Sequence, residues 1–341
     1  MNLTKLLKTL ADEAGVSGEE NRAASLAANV LKKYTKDVQI SHGNVLAHFG
    51  IRQEGKPHVV LDAHIDQIGF VVTHITDEGF IKVGNCGGID RRLLAAQPVT
   101  VYGKRELPGV ITSTPPHLAS DKDKKVPEIG DIAIDTGLSK EDLEKLVEPG
   151  DKIRFDTHCE EMLGKRLTGG ALDDRAGVAA ILYAVDLLKE KELSCSYTVI
   201  FSTQEEVGER GAHIGAYTVD ADIAIAVDVG FGMADGEDES KCGKLGKGGM
   251  IGISPSLDRE LSQELIHIAQ KEKILYQFEV MPGMTSTNAD QYSVARNGAR
   301  TVTLSIPLRY MHTPVEVIHL SDVKNVGKLL AEYILRAGTK D

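Results

Sequence analysis

Four short apolar runs constrain this fold more than any other feature, because each leads to a residue that can ionise. His58-Val59-Val60-Leu61-Asp62-Ala63 ends at His64-Ile65-Asp66, and Tyr197-Thr198-Val199-Ile200-Phe201 leads through Ser202-Thr203-Gln204 into Glu205-Glu206-Val207-Gly208. Ile223-Ala224-Ile225-Ala226-Val227 ends at Asp228, and Thr301–Ile306 shortly precedes Arg309-Tyr310-Met311-His312-Thr313-Pro314. Continuous β-branched runs of this length are the pattern of strands buried on both faces, as in parallel sheets. Helical periodicity lies between them. In Asp174–Glu192, Val178, Ile181, Leu182, Val185 and Leu188 share one face, and further helices are expected near 209–217, 257–273, 288–297 and 321–336. Strands alternating with helices predict an α/β fold: a central mixed, largely parallel sheet with helices on both faces.

That alternation is interrupted. Residues 68 to about 163 carry no amphipathic helix apart from a short 139–147 segment, and read instead as strands and turns. Strands are expected at Gly69–Thr73, Phe80–Val83, Pro98–Tyr102, Gly109–Thr112, Asp131–Ile134 and Lys152–Phe155, with Asp121–Lys125 as a solvated loop. A chain of 341 residues exceeds the size at which single cores stop growing. Two domains follow: a discontinuous one from 1–69 and 164–341, and a β-rich insert over 70–163. Ahead of the first long strand, helices are expected over 3–14 and 19–34, around Gly15-Val16-Ser17-Gly18, then strands at Val38–Ile40 and Val45–Phe49. Residues 231–249 read as a long Gly-rich loop, followed later by a strand at 276–280.

The formal charge of -11 excludes a nucleic-acid binder that works through a basic face. Cys86, Cys159, Cys195 and Cys242 form no C-x-x-C pair, so neither a disulfide framework nor a thiolate metal site is expected. Leucines at 3, 6, 7 and 10 alternate with lysines, an amphipathic helix rather than the apolar core of a signal peptide. No apolar run is long enough to span a bilayer. A cytoplasmic location is the expectation.

In open α/β sheets chemistry collects just past the carboxyl ends of the strands. An isolated Glu-Glu is ordinarily a solvated pair; here other strand-end groups alter that reading. If the strands are parallel neighbours, His64, Glu205, Glu206, Asp228 and His312 converge on one rim. Asp173, in Gly169-Gly170-Ala171-Leu172-Asp173-Asp174-Arg175, joins them at a helix N-terminus. So many uncompensated anions would repel strongly, and a bound cation relieves this. Imidazole with carboxylate suits zinc, cobalt or manganese, and five ligands suit two metals sharing a bridging carboxylate. In His64-Ile65-Asp66 an extended chain puts both side chains on one side, so Asp66 can fix the imidazole tautomer. His42, His48, His58, His74, His117, His158, His213, His267 and His319 read as surface or satisfied core histidines.

These residues carry a resemblance. Ala63-His64-Ile65-Asp66-Gln67-Ile68-Gly69-Phe70, Leu172-Asp173-Asp174-Arg175, Gln204-Glu205-Glu206-Val207-Gly208, Val227-Asp228 and Tyr310-Met311-His312-Thr313-Pro314 resemble the tetrahedral (TET) aminopeptidases. This di-metal metallopeptidase family includes glutamyl and deblocking aminopeptidases, some labelled endoglucanase M. The likeness runs from Gly15-Val16-Ser17-Gly18 to the C-terminal helix, through Leu245-Gly246-Lys247-Gly248, with Gly87-Gly88 and Pro115-Pro116-His117 in the insert. It implies that His64 and Asp228 bind one metal, Glu206 and His312 the other, and that Asp173 bridges. Glu205 would be the general base, Asp66 would orient His64, and the two ions would be zinc or cobalt, with manganese as an alternative.

The substrates implied are peptides with a free N-terminus. The insert would be a dimerisation domain, with dimers assembling into a dodecamer. Carboxypeptidases and aminoacylases share the ligand order but place their extra domain after the fourth ligand, whereas here it precedes Asp173. Two departures stand out: Gln67 where the family usually has Glu, and Asn288 in Thr287-Asn288-Ala289-Asp290 where it has Thr-Asp-Ala. Two rival functions are a glycosidase, which needs two carboxyls flanking a sugar, and a non-catalytic metal-binding protein.

Overall fold

A computed structural model describes residues 1–115, 117–118 and 125–339. Pro116 and residues 121–124 of the expected Asp121–Lys125 loop lie outside the described residues. The chain opens with helices α1 (Leu3–Asp12) and α2 (Asn21–Leu31), then strands β1 (Val38–Ser41), β2 (Asn44–Phe49) and β3 (His58–His64). Next come β4 (Gly69–Ile75), β5 (Ile81–Cys86), β6 (Pro98–Tyr102), β7 (Glu106–Ile111), β8 (Ile134–Asp135), the one-turn helix α3 (Lys140–Leu143) and β9 (Lys152–Phe155). Strands β10 (Glu160–Met162) and β11 (Arg166–Gly169) lead to α4 (Leu172–Leu188), β12 (Ser196–Ser202), α5 (Arg210–Thr218) and β13 (Ile223–Phe231). The last third holds β14 (Gly249–Ile253), α6 (Arg259–Lys271), β15 (Tyr276–Val280), α7 (Ala289–Val294), β16 (Arg300–Arg309), β17 (Glu316–His319) and α8 (Leu320–Arg336).

Eleven strands form one mixed sheet, in the order β1-β2-β12-β3-β13-β16-β17-β11-β10, with β14 and β15 branching from β16. The four central strands β12-β3-β13-β16 are parallel. They are the four apolar runs, and every residue of β3 and β12 is buried. Alternation of side chains divides them between two helical layers. Val59, Leu61 and Ala63 pack in the core that includes α1, α2, α4, α6 and α8. Val60, Ile200 and Ala224 face the opposite way, against Ala212 and Ala216 of α5 and Tyr292 of α7. Outside this centre the sheet is antiparallel, apart from the β14–β15 pair.

The β-rich stretch is a closed antiparallel barrel, β4-β5-β8-β7-β6-β9. Its strands bury alternate residues: Val99 and Val101 in β6, Leu107 and Ile111 in β7, with Phe70, Val72, Ile81, Val83, Ile134 and Ile153 completing a separate core. Closure leaves short strands of this kind without an exposed edge. The barrel's last strand ends at Phe155, and Glu160–Met162 of β10 is already hydrogen-bonded to β11 in the large sheet.

Four strands have no counterpart in the sequence expectation: β10, β11, β14 and β17. Each has only three to five residues, and none carries an uninterrupted apolar run. The expected strand at Asp131–Ile134 is reduced to Ile134–Asp135, because residues 129–131 turn into a one-turn 3-10 helix. The 139–147 helix is regular only over Lys140–Leu143, capped by the Ser139 side chain.

Candidate metal centre

His64 closes β3 and lies level with Ser202 on the neighbouring β12. Asp228 sits near the end of β13, level with Ser305 on β16. Glu205 and Glu206 occupy the turn beyond β12, entered through Gln204 at φ 56°. That turn is pinned by Asp66, whose Oδ1 accepts the Glu205 N–H at 2.9 Å and whose Oδ2 accepts the Glu206 N–H at 3.2 Å. Asp66 also accepts the Ser17 hydroxyl at 2.7 Å and lies 3.5 Å from His64 Nδ1. Burial alone would raise the Asp66 pKa, but His64, Ser17 and the Glu205 amide hold it below the ordinary carboxylate value. One buried acid therefore sets both the imidazole and the Glu-Glu turn.

Asp173 stands at the start of α4, before a cis Asp173–Asp174 peptide bond. Its two oxygens face two imidazoles: Oδ1 is 3.0 Å from His64 Nε2, and Oδ2 is 3.5 Å from His312 Nε2. His312 Nε2 is 3.4 Å from Glu206 Oε2. On the other side, His64 Nε2 is 3.8 Å from Asp228 Oδ1 and 4.0 Å from Glu205 Oε2. The seven residues singled out in the sequence thus lie together, with Asp173 between two groups: His64, Asp228 and Glu205, and His312 with Glu206.

The electrostatics of this cluster are those of acids lacking a counter-charge. Burial, then neighbouring acids, push Glu206, Asp228 and Asp174 well above their ordinary range, and Glu205 rises to about 7. Burial would lower the His64 pKa, yet Asp173, Asp66, Glu205 and Asp228 raise it well above 6.5. A cation would replace the missing protons and relieve the repulsion. Ligand atoms of His64, Asp173 and Glu206 all fall within 4.8 Å of one another, as do those of His64, Asp174 and Asp228. Mixed imidazole and carboxylate donors suit a divalent transition metal. The residues present fit such ions.

Asp174 and Glu316 belong to this site and were not singled out in the sequence. Asp174 Oδ1 accepts the Gly177 N–H at 2.9 Å, while its fully buried Oδ2 has no hydrogen-bond partner among the described residues. Glu316 accepts backbone N–H groups of Asp173 and His312. Asp174 could have been found from its adjacency to Asp173. Glu316 offered only its position four residues after His312.

The two departures are now placed. Asn288 Nδ2 donates to Asp62 Oδ1 at 2.5 Å and to Ser202 Oγ at 2.7 Å, and Tyr292 donates to the other Asp62 oxygen at 2.8 Å. An aspartate at 288 would set a second carboxylate against buried Asp62, so the amide is what this chain's own Asp62 requires. Gln67 exchanges backbone hydrogen bonds with Gly15 and Ser17, and its buried Oε1 is unpartnered among the described residues. The barrel also reaches the centre. A Cβ at Gly88 would come within 2.9 Å of His312 Nδ1, and one at Gly87 within 3.0 Å of Glu206 Oε2.

With this geometry in place, likeness to known proteins becomes specific. Residues 43–329 match the M42 glutamyl aminopeptidase family model. A lysyl aminopeptidase of Pyrococcus furiosus is 33% identical over 95% of this chain and 94% of its own length. The solved aminopeptidase APDkam598 from the archaeon Desulfurococcus kamchatkensis superposes with a TM-score of 0.91 at 34% identity, over 98% of this chain and 95% of that one. The TET1 peptidase of Pyrococcus horikoshii, which can assemble into a tetrahedron or a large octahedral shell, gives 0.88 at 34% identity, over 98% of this chain and 99% of that one. Nearly full-length similarity, in sequence and in fold, leads to one assignment: the chain belongs to the M42 family of aminopeptidases.

Proposed function

We propose that this aminopeptidase works with two divalent metal ions and uses Glu205 as general base to release the N-terminal residue of peptides. The observation that carries the reading is Asp173, whose two oxygens face His64 and His312 from a position between two ligand groups. His64 and Asp228 would hold one ion, Glu206 and His312 the other, with Asp173 bridging and Asp66 orienting His64. Asp174 is a further candidate oxygen on the His64–Asp228 side. Ions held there would polarise the scissile carbonyl and acidify a water.

Glu205 has no place in that ligand set yet lies 4.0 Å from His64 Nε2, so its carboxylate is available to take a proton from water and return it to the leaving amine. Its backbone N–H, held by Asp66, keeps the carboxylate on the His64 side. The substrate's free α-amine would be bound among the acids of the site, restricting cleavage to the first residue. Zinc or cobalt, or else manganese, fits the donors.

The barrel is read as the dimerisation unit, with residues 1–69 and 164–341 as the catalytic unit, and dimers assembling into a dodecamer. The tetrahedral assembly of the Pyrococcus horikoshii relative supports this. A cytoplasmic setting is part of the same reading.

Aminoacyl-anilides and short peptides should be assayed after chelation and after adding back Zn²⁺, Co²⁺ or Mn²⁺. The expected result is N-terminal release that disappears with chelator and returns with metal. Chelator-resistant hydrolysis, or cleavage within peptides blocked at the N-terminus, would remove this reading. Light scattering should give a particle far larger than one chain; a stable monomer would remove the dodecamer.

A further inference from the structure

Glu316 is absent from the ligand set, yet it joins the two segments that carry half of the centre. It is the first residue of β17, level with Gly169 at the end of β11. From there its Oε2 accepts the N–H of Asp173 at 3.1 Å, and its Oε1 accepts the N–H of His312 at 3.1 Å. Both donors lie in chain that has left regular hydrogen-bond ladders. Asp173 follows the Ala171 turn at φ 62°, and His312 itself has φ 60°, as does Tyr310. A backbone N–H withdrawn from water needs an acceptor in the fold. Here one side chain, 1% exposed, supplies the acceptor for both.

A carboxylate is a rigid plane, so accepting one amide on each oxygen fixes the two backbones relative to one another. The two side chains carried by those backbones are the pair that meet at 3.5 Å, Asp173 Oδ2 and His312 Nε2. Among the described residues no other side chain accepts the N–H of both. The His64–Asp228 half has a different support. Those residues ride on β3 and β13, neighbours in the middle of the sheet, so their backbones are held by strand pairing, with Asp66 beside the His64 ring.

Resting on the two-metal reading above, we infer that Glu316 is a positioning residue that sets the second metal position, formed by Asp173, Glu206 and His312, more than it sets the first. Glu316→Gln keeps one oxygen but turns an NH₂ group toward one of the two amides. Glu316→Asp keeps both acceptors and withdraws them by one methylene. Each protein, stripped of metal, should be titrated with Co²⁺ or Zn²⁺ by calorimetry, with bound metal counted directly and the metal-free melting temperature recorded.

The wild type should bind two ions per chain. In Glu316→Gln one of the two binding steps should be preserved and the other lose roughly 10–100-fold in affinity, with activity recovering as metal concentration rises. Glu316→Asp should fall between the two. Wild-type stepwise affinities in both variants, equal weakening of both steps, or a single ion in the wild type would each overturn the inference. Failure of both variants to fold would make Glu316 a folding element and overturn it too. Wild-type protein that binds two ions but cleaves no peptide would remove the peptidase reading and leave this one standing.

Discussion

β3 begins and ends with a histidine, and the two could hardly differ more. His58 and His64 are almost equally buried, at 5% and 2% exposure. The His58 ring has two hydroxyl partners, its Nδ1 2.7 Å from Ser196 Oγ and its Nε2 2.8 Å from Thr198 Oγ1, with Arg52 opposing Asp222 and Asp220 around it. Burial then pushes its pKa down to about 4, and the ring is a satisfied core residue. His64 instead meets Asp66, Asp173, Glu205 and Asp228 within 4.0 Å. Burial is common to both; the charge of the partners separates them. A buried imidazole becomes informative when the groups around it leave charge uncompensated.

The comparison can be broken at its charged end first. Glu205→Gln should reduce turnover by roughly a hundred- to ten-thousand-fold while metal content is unchanged; an active variant would put the base elsewhere. Asp66→Asn should come next, lowering metal affinity roughly 10–100-fold, because one oxygen that pins the Glu205-Glu206 turn becomes a donor. Metal titration with unaltered affinity would show that His64 needs no such partner. Asn288→Asp should destabilise the fold by about 1–3 kcal/mol in chemical denaturation, since it replaces a donor to Asp62 by a second acid. A neutral result would separate Asn288 from Asp62.

The smallest effect belongs to the quiet end. The folded His58 pKa lies below the unfolded value, so the unfolded chain takes up the proton first as pH falls. Its contribution is therefore complete above about pH 6.5 and is lost between there and about pH 4. Measured against His58→Gln, wild-type protein should lose about 1–2 kcal/mol of stability across that window. Parallel pH profiles for the two proteins would mean that His58 binds its proton equally well folded and unfolded.

The same contrast explains what the sequence could reveal. The central strands were legible because both faces are buried, which demands unbroken apolar runs such as 197–201. The site was legible where its residues follow those runs directly. Strand β14 was not, because Gly249 and Gly252 thin its pattern. Closure of the barrel was not legible either: it depends on pairing β4 with β9, which are remote in sequence. Asp174 and Glu316 escaped for a related reason. Their visible partners are backbone N–H groups, and every residue but proline has one, so no side-chain pattern marks them.

Gly87 and Gly88 place the barrel against the centre, with almost no room for side chains there. The barrel is consequently a wall of the candidate metal centre as well as a closed sheet with its own core. Its outward-facing strands can drift and its surface can be redesigned, while these two positions must stay at minimal volume. Grafting a different barrel onto this sheet would have to reproduce that pair of glycines before any gain in assembly could be read as neutral to chemistry.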